Sequence, residues 1–164
     1  MIQHGIDCEW GGALGDEHLP RKKHAPASYW WDESSEKFAV IRNPATRLVS
    51  CYRYVGAEFG AFHDVTFSEV IQTRQRAQVK KRLIDPWLDQ CYWLMYRDKI
   101  IVDRFLCTET LEKDVHEYLG NFGPVPRLNT TSRCDEDLMV WYSEKDLRRV
   151  RKAFARDYEV LGYK

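Results

Sequence analysis

Four consecutive apolar residues, Phe38, Ala39, Val40 and Ile41, form a short run that reads as a buried strand, ending on Arg42. Asn43-Pro44 then turns the chain into a helix, with asparagine as a good N-cap and proline at the first helical position, where its missing N–H is no loss. The run FAVIRNPATRLVSCY, Phe38 to Tyr52, is therefore strand, turn and helix in succession. Further on, Thr66-x-x-Glu69 is a capping box opening a second helix to about Leu83. Pro86 starts a third through Arg97, with Trp87, Leu88, Cys91, Tyr92 and Met95 on one side. Ile100 to Leu106 reads as a second strand. Thr108 begins a helix with the stripe Leu111, Val115, Tyr118, Leu119 and Phe122, stopped by Gly123-Pro124. Ser143 caps a final helix on which Leu147, Val150, Phe154, Tyr158 and Leu161 recur at spacings of three and four.

The remainder is irregular: residues 1 to 36, with a short helix expected near Pro26 to Trp31, and loops over 56 to 64 and 123 to 142. The pattern predicts a helix-rich α/β domain whose two strands are parallel neighbours in a small sheet with flanking helices. One domain is expected over 1–164, an irregular segment to residue 36 and a core from 37 onward.

Composition narrows the functions open to such a domain. Hydrophobic residues make up 44% of the 164, with six Trp, nine Tyr and seven Phe, enough for a packed core rather than disorder. Formal net charge is zero, so no global field favours nucleic acid or an anionic membrane, and any anion must be held by local arrangement. The apolar runs are shorter than a membrane span and no signal peptide follows Met1, so the chain as given reads as cytoplasmic. Five widely spaced cysteines without a CxxC pair point to reduced thiols rather than disulfides or zinc ligands, and no metal set stands out.

The strand-to-helix turn carries the clearest chemistry. The leading N–H groups of a helix favour anions, and Arg42 adds a planar guanidinium that can grip phosphate through two bonds. Ser50 adds a hydroxyl two turns into the helix, with Thr46 and Arg47 one turn before it. These residues look like half of a phosphate site. The ordinary alternative is an arginine paired with a carboxylate and a serine within an amphipathic helix.

Together with the downstream pattern, the turn resembles the carbohydrate sulfotransferase family, in which a strand runs into R-[ND]-P-x-x-R-L-x-S. The matching positions are Arg42, Asn43, Pro44, Arg47, Leu48 and Ser50. Similarity continues in KHAPAS (Lys23 to Ser28), in Gln90 before an aromatic-rich helix, and in FLCTETLEKD with Phe105, Glu109, Leu111 and Asp114. It closes with Leu128-Asn129 and the ending YSEKD…RDYEVLGY, covering roughly residues 20 to 164.

The resemblance implies a P-loop-like α/β fold and transfer of a sulfuryl group from 3′-phosphoadenosine 5′-phosphosulfate to a hydroxyl, on a carbohydrate acceptor. By position it implies that Arg42 and Ser50 hold the 3′-phosphate and that His24 is the base for the acceptor proton. Ser132, in the loop Asn129 to Arg133, would assist at the 3′-phosphate, although turn chemistry alone explains that loop. Arg47 suits a structural ion pair, with Glu109 as a candidate partner. Glu109 itself suits a helix start, where a carboxylate satisfies N–H donors. Family members also carry an earlier lysine-bearing loop for the 5′-phosphosulfate, and nothing in residues 1 to 36 matches it. An N-terminally truncated sulfotransferase domain is the expectation, with a non-catalytic nucleotide-binding or interaction module as the alternative. The basic run within Gln72 to Arg82 is most simply a solvated helix face. A truncated sheet would expose an edge, which makes a homodimer through that edge a further expectation.

Overall fold

The computed structural model describes Ala27 and residues 36–59, 64–73, 88–120, 123–126 and 138–164. Two strands, β1 (Phe38–Ile41) and β4 (Arg104–Cys107), lie side by side and parallel, in the register Phe38 to Arg104 through Ile41 to Cys107. The expected parallel pair is therefore present, inside a mixed α/β arrangement. The expectation that β1 is buried throughout is not met. Only Ile41 is buried, Ala39 is half-buried, and Val40 is 54% exposed. Alternate residues of a strand face opposite sides, and among the described residues the side carrying Ala39 and Ile41 is the covered one. Phe38 rests edge-on against Tyr118, with ring centroids 5.7 Å apart.

Helix α1 (Pro44–Phe59) follows the turn and runs past the expected loop start at residue 56. Its buried residues Ala45, Leu48 and Val49 meet Phe67 and Ile71 of α2 (Phe67–Thr73). Tyr142 closes the same cluster with Val150 and Phe154, which belong to the last helical stretch. Edge-to-face aromatic contacts join the parts: Tyr52 to Phe67 at 5.1 Å and Phe67 to Tyr142 at 5.0 Å. The Thr66/Glu69 capping box forms as expected, with Thr66 N–H and hydroxyl both donating to Glu69 Oε2. Beyond Thr73 the expected continuation of α2 lies outside the described residues.

The third helix is much shorter than its apolar stripe suggests. α3 (Gln90–Leu94) gives way to a hairpin of β2 (Met95–Tyr96) and β3 (Lys99–Ile100), paired antiparallel. Its two-residue turn is Arg97-Asp98, both at positive φ (48° and 61°), the twist that two-residue hairpins need. Met95 therefore lies in a strand, and the single strand expected over 100 to 106 is two separate ones. Helix α4 (Leu111–Leu119) follows a 3₁₀ turn at Thr108–Thr110. It stops at Gly120 (φ 87°) rather than at Gly123-Pro124, and the Gly120 N–H donates to the His116 carbonyl.

Ser143 caps α5 (Glu144–Ala153) as expected, its hydroxyl accepting from Asp146 N–H at 3.1 Å. The final helix bends at the fully buried Phe154 into α6 (Ala155–Val160), while the ladder continues on both sides of the bend through Val150, Phe154 and Tyr158. Asp146 ties α2 to the start of α5, because Ser68 of α2, the Ser143 cap and Arg149 all reach its carboxylate at 2.7 to 2.8 Å. Burial alone would raise its pKa, but the bonds from Ser143, Ser68 and Arg149 prevail and hold it below the ordinary carboxylate range.

The second buried carboxylate is Asp157 of α6, which is 0% exposed. Helix α3 opens at Asp89 with no side-chain capping bond of its own. Asp157 supplies the cap from 67 residues away: Oδ2 accepts from Gln90 N–H at 2.8 Å, and Oδ1 accepts from Cys91 N–H at 2.9 Å. The negative charge thus sits on the leading peptide groups of a helix, where both N–H dipoles favour it. Its effect on Cys91 is marked: burial, then the Asp157 hydrogen bond and charge, push that thiol up to about 12.

Two outcomes are expected for stability. Asp157→Ala strips the acceptor from two buried N–H groups and should cost about 3 kcal/mol by urea denaturation, with Asp157→Asn falling between it and the parent. Asp146 binds its proton more weakly folded than unfolded, so its contribution is complete above the unfolded value and fades as pH falls below about 4. Stability measured from pH 5 to pH 2 should fall less steeply in Asp146→Asn than in the parent.

Candidate anion site at the strand-to-helix turn

The turn between β1 and α1 is held by side chains from five distant positions. Thr108 donates its hydroxyl to the Ile41 carbonyl at 2.8 Å. The Gln90 amide meets the backbone of Arg42 twice, with Oε1 accepting from Arg42 N–H at 2.9 Å and Nε2 donating to Arg42 C=O at 2.7 Å. Glu109 Oε1 accepts from Asn43 N–H at 2.8 Å. Asn43 in turn caps α1, its Oδ1 accepting from Ala45 N–H at 2.9 Å. Tyr142, buried, donates its hydroxyl to the Ala45 carbonyl at 2.8 Å. Tyr163 steadies Glu109 from behind through a 3.2 Å bond to Oε2. Burial first, then the Glu109 charge and Cys107, push the Tyr163 pKa far up, so this hydroxyl stays protonated and donating.

This bonding alters the picture of the helix start. The sequence suggests open N–H donors ready for an anion, yet Asn43 N–H already faces a carboxylate and Ala45 N–H is capped. Glu109 is the resident anion there, serving the start of α1 rather than that of its own helix as expected, and it is not the partner of Arg47. Arg47 instead donates Nη1 to the Leu88 carbonyl at 2.8 Å, a structural tie between α1 and the entry to α3.

Positive charge for a ligand therefore comes from the Arg42 guanidinium. Its Nε donates to Thr46 Oγ1 at 3.2 Å, and that hydroxyl donates to the Asn43 carbonyl at 3.0 Å. Thr46 and Ser50 are four residues apart, so an arginine fastened on Thr46 lies along the helix side that carries Ser50. Among the described residues no carboxylate forms an ion pair with Arg42. The half-buried Cys51 next to Ser50 reports the local field. Burial pushes its thiol up, and the charges of Arg47 and Arg42 oppose that rise. Among the described residues, Cys51, Cys91 and Cys107 form no disulfide.

The turn thus brings Arg42 and Ser50 to one side of α1, with Thr46 between them. The two other expected site residues, His24 and Ser132, lie outside the described residues, as do Arg133 and Trp87. The chemistry of the donor set suits a tetrahedral oxyanion: Nε is fixed by Thr46, which leaves the Nη edge to meet two oxygens, and a hydroxyl stands further along the helix. How the turn is held was not visible in the sequence. Gln90, Thr108, Tyr142 and Asp157 stand out there only as members of the resembling segments, without their roles, because nothing local shows a polar side chain reaching a backbone dozens of residues away. Among the described residues no group of His, Cys, Asp and Glu could hold a metal ion. No helix among them is long and apolar enough to cross a membrane.

No curated protein and no solved structure matches the chain. The model of the sulfotransferase family matches residues 19–164, which takes in the turn, both parallel strands and every helix described above. On that match, this chain belongs to the sulfotransferase family.

Proposed function

We propose that the chain binds 3′-phosphoadenosine 5′-phosphosulfate with its 3′-phosphate against Arg42 and Ser50, and that the sulfuryl group goes to a hydroxyl of a carbohydrate. The observation that carries this reading is the Arg42 guanidinium, fastened through Nε to Thr46 with no carboxylate partner among the described residues. An arginine with a purely structural purpose would be expected to end on a carboxylate or a carbonyl, as Arg47 does on Leu88. Family membership supports sulfuryl transfer in general; the nucleotide donor and the carbohydrate acceptor are the finer part of the proposal.

When bound, the donor would supply an activated sulfuryl group: the acceptor oxygen would form the new S–O bond as the bond to the 5′-phosphate oxygen breaks, leaving adenosine 3′,5′-bisphosphate. The protein's share is placement. Arg42 neutralises the 3′-phosphate and fixes the far end of the nucleotide, so that remote binding energy orients the reacting end. Ser50 and Ser132 add hydroxyl donors at the same phosphate. His24 takes the acceptor's proton as the new S–O bond forms, the task for which an imidazole titrating near neutrality is suited.

Calorimetry with adenosine 3′,5′-bisphosphate tests the phosphate assignment. Arg42→Ala should weaken binding by about 2 kcal/mol, roughly thirtyfold, because a charge-assisted contact is lost. Arg42→Lys should recover only part of that, since an ammonium cannot make the two parallel bonds of the guanidinium edge. Equal affinity for the parent and Arg42→Ala would remove Arg42 from the site.

A further inference from the structure

We propose that Gln90 is a positioning residue for the anion site, acting on a bound phosphate entirely through Arg42. The inference rests on the phosphate reading above. Its basis is an arrangement in which the side-chain amide has one orientation available. Gln90 is 7% exposed, so its amide cannot turn to water for alternative partners. Oε1 faces the Arg42 N–H at 2.9 Å, while Nε2 faces the Arg42 carbonyl at 2.7 Å and Asp157 Oδ2 at 3.5 Å. Reversing the amide would set oxygen against two oxygens and nitrogen against an N–H. The backbone of Gln90 is equally fixed, its own N–H lying on Asp157 Oδ2 at 2.8 Å.

A continuous chain of bonds thus runs from a buried carboxylate on α6, through one glutamine, to both backbone groups of the arginine that ends β1. The Arg42 peptide is the base from which its side chain extends, and Thr46 fixes that side chain one turn on. With the peptide held at the root and Nε held near the tip, the guanidinium is presented in one pose before a ligand arrives, which lowers the ordering cost of binding. Gln90 itself touches no part of the ligand. Its whole effect is on where the Arg42 edge points.

A residue that works only through another gives a distinctive signature in a double-mutant cycle. With adenosine 3′,5′-bisphosphate as the probe and the full chain throughout, Gln90→Met should weaken binding about tenfold when Arg42 is present. In the Arg42→Ala background the same change should cost less than about twofold. Equal losses in both backgrounds would overturn the positioning role while leaving Arg42 in the site. Should Arg42→Ala leave affinity unchanged, the phosphate reading falls and the positioning role falls with it, a pattern distinct from equal losses. A second measurement needs no variant: exchange of the Arg42 backbone amide with deuterium in the parent protein. Ligand that depends on the Gln90–Arg42 bond must strengthen it in return, so saturating probe should slow this amide several-fold. An Arg42 amide that exchanges at the same rate with and without probe would overturn the proposal even if Gln90→Met failed to fold.

Discussion

One buried charge, the Asp157 carboxylate, organises the turn and the helices around it. A fully buried negative charge is tolerated only where donors surround it, and here the donors are the first two N–H groups of α3. That requirement fixes α3 against α6. Helix α3 then aims the Gln90 amide at the end of β1, and the amide holds the Arg42 peptide by both its donor and its acceptor. A single satisfied charge in the last helix therefore sets the position of a turn near the start of the described core. Such long-range ties suit a site that must keep its shape when a doubly charged ligand arrives.

The electrostatics of the turn bear on where the proposed phosphate would be held. The chain has no net charge to attract one from a distance. The helix start that would ordinarily serve is taken by Glu109, itself held by Tyr163. On the proposed reading, a phosphate would therefore meet the Arg42 edge and the hydroxyl side of α1 rather than the helix tip. The same carboxylate that removes one subsite steadies Asn43 and hence the cap of the helix on which Ser50 is carried. Membership of the sulfotransferase family gives this local arrangement its chemical setting.

Much of this was legible in the sequence because it is local. An asparagine cap, a proline at the first helical position, a capping box at Thr66 and a serine cap at Ser143 depend on neighbours within four residues, and each reads correctly. The parallel pairing of β1 with β4 is the natural arrangement of two apolar runs separated by helices. What was not legible depends on partners far away in the chain. The apolar stripe through Met95 suggested helix, yet Arg97 and Asp98 take positive φ and fold the segment back into a hairpin. Val40 reads as core by its side chain and stands exposed because cover is a tertiary property. At the candidate site, Arg42 and Ser50 were visible as a motif, and Gln90 and Asp157 only as members of resembling segments, not in the roles they take: an aspartate in a C-terminal helix carries no local mark of capping another helix.

Nuclear magnetic resonance can read most directly whether a rigidly held Arg42 receives a phosphate on α1, by following the Arg42 side-chain Nε–H and the Ser50 backbone amide as ligand is added. Both signals should move in a saturable way with adenosine 3′,5′-bisphosphate, and move far less with adenosine 5′-monophosphate, which lacks the 3′-phosphate. Shifts of equal size with both nucleotides, or shifts centred away from the β1–α1 turn, would show that the phosphate is held elsewhere.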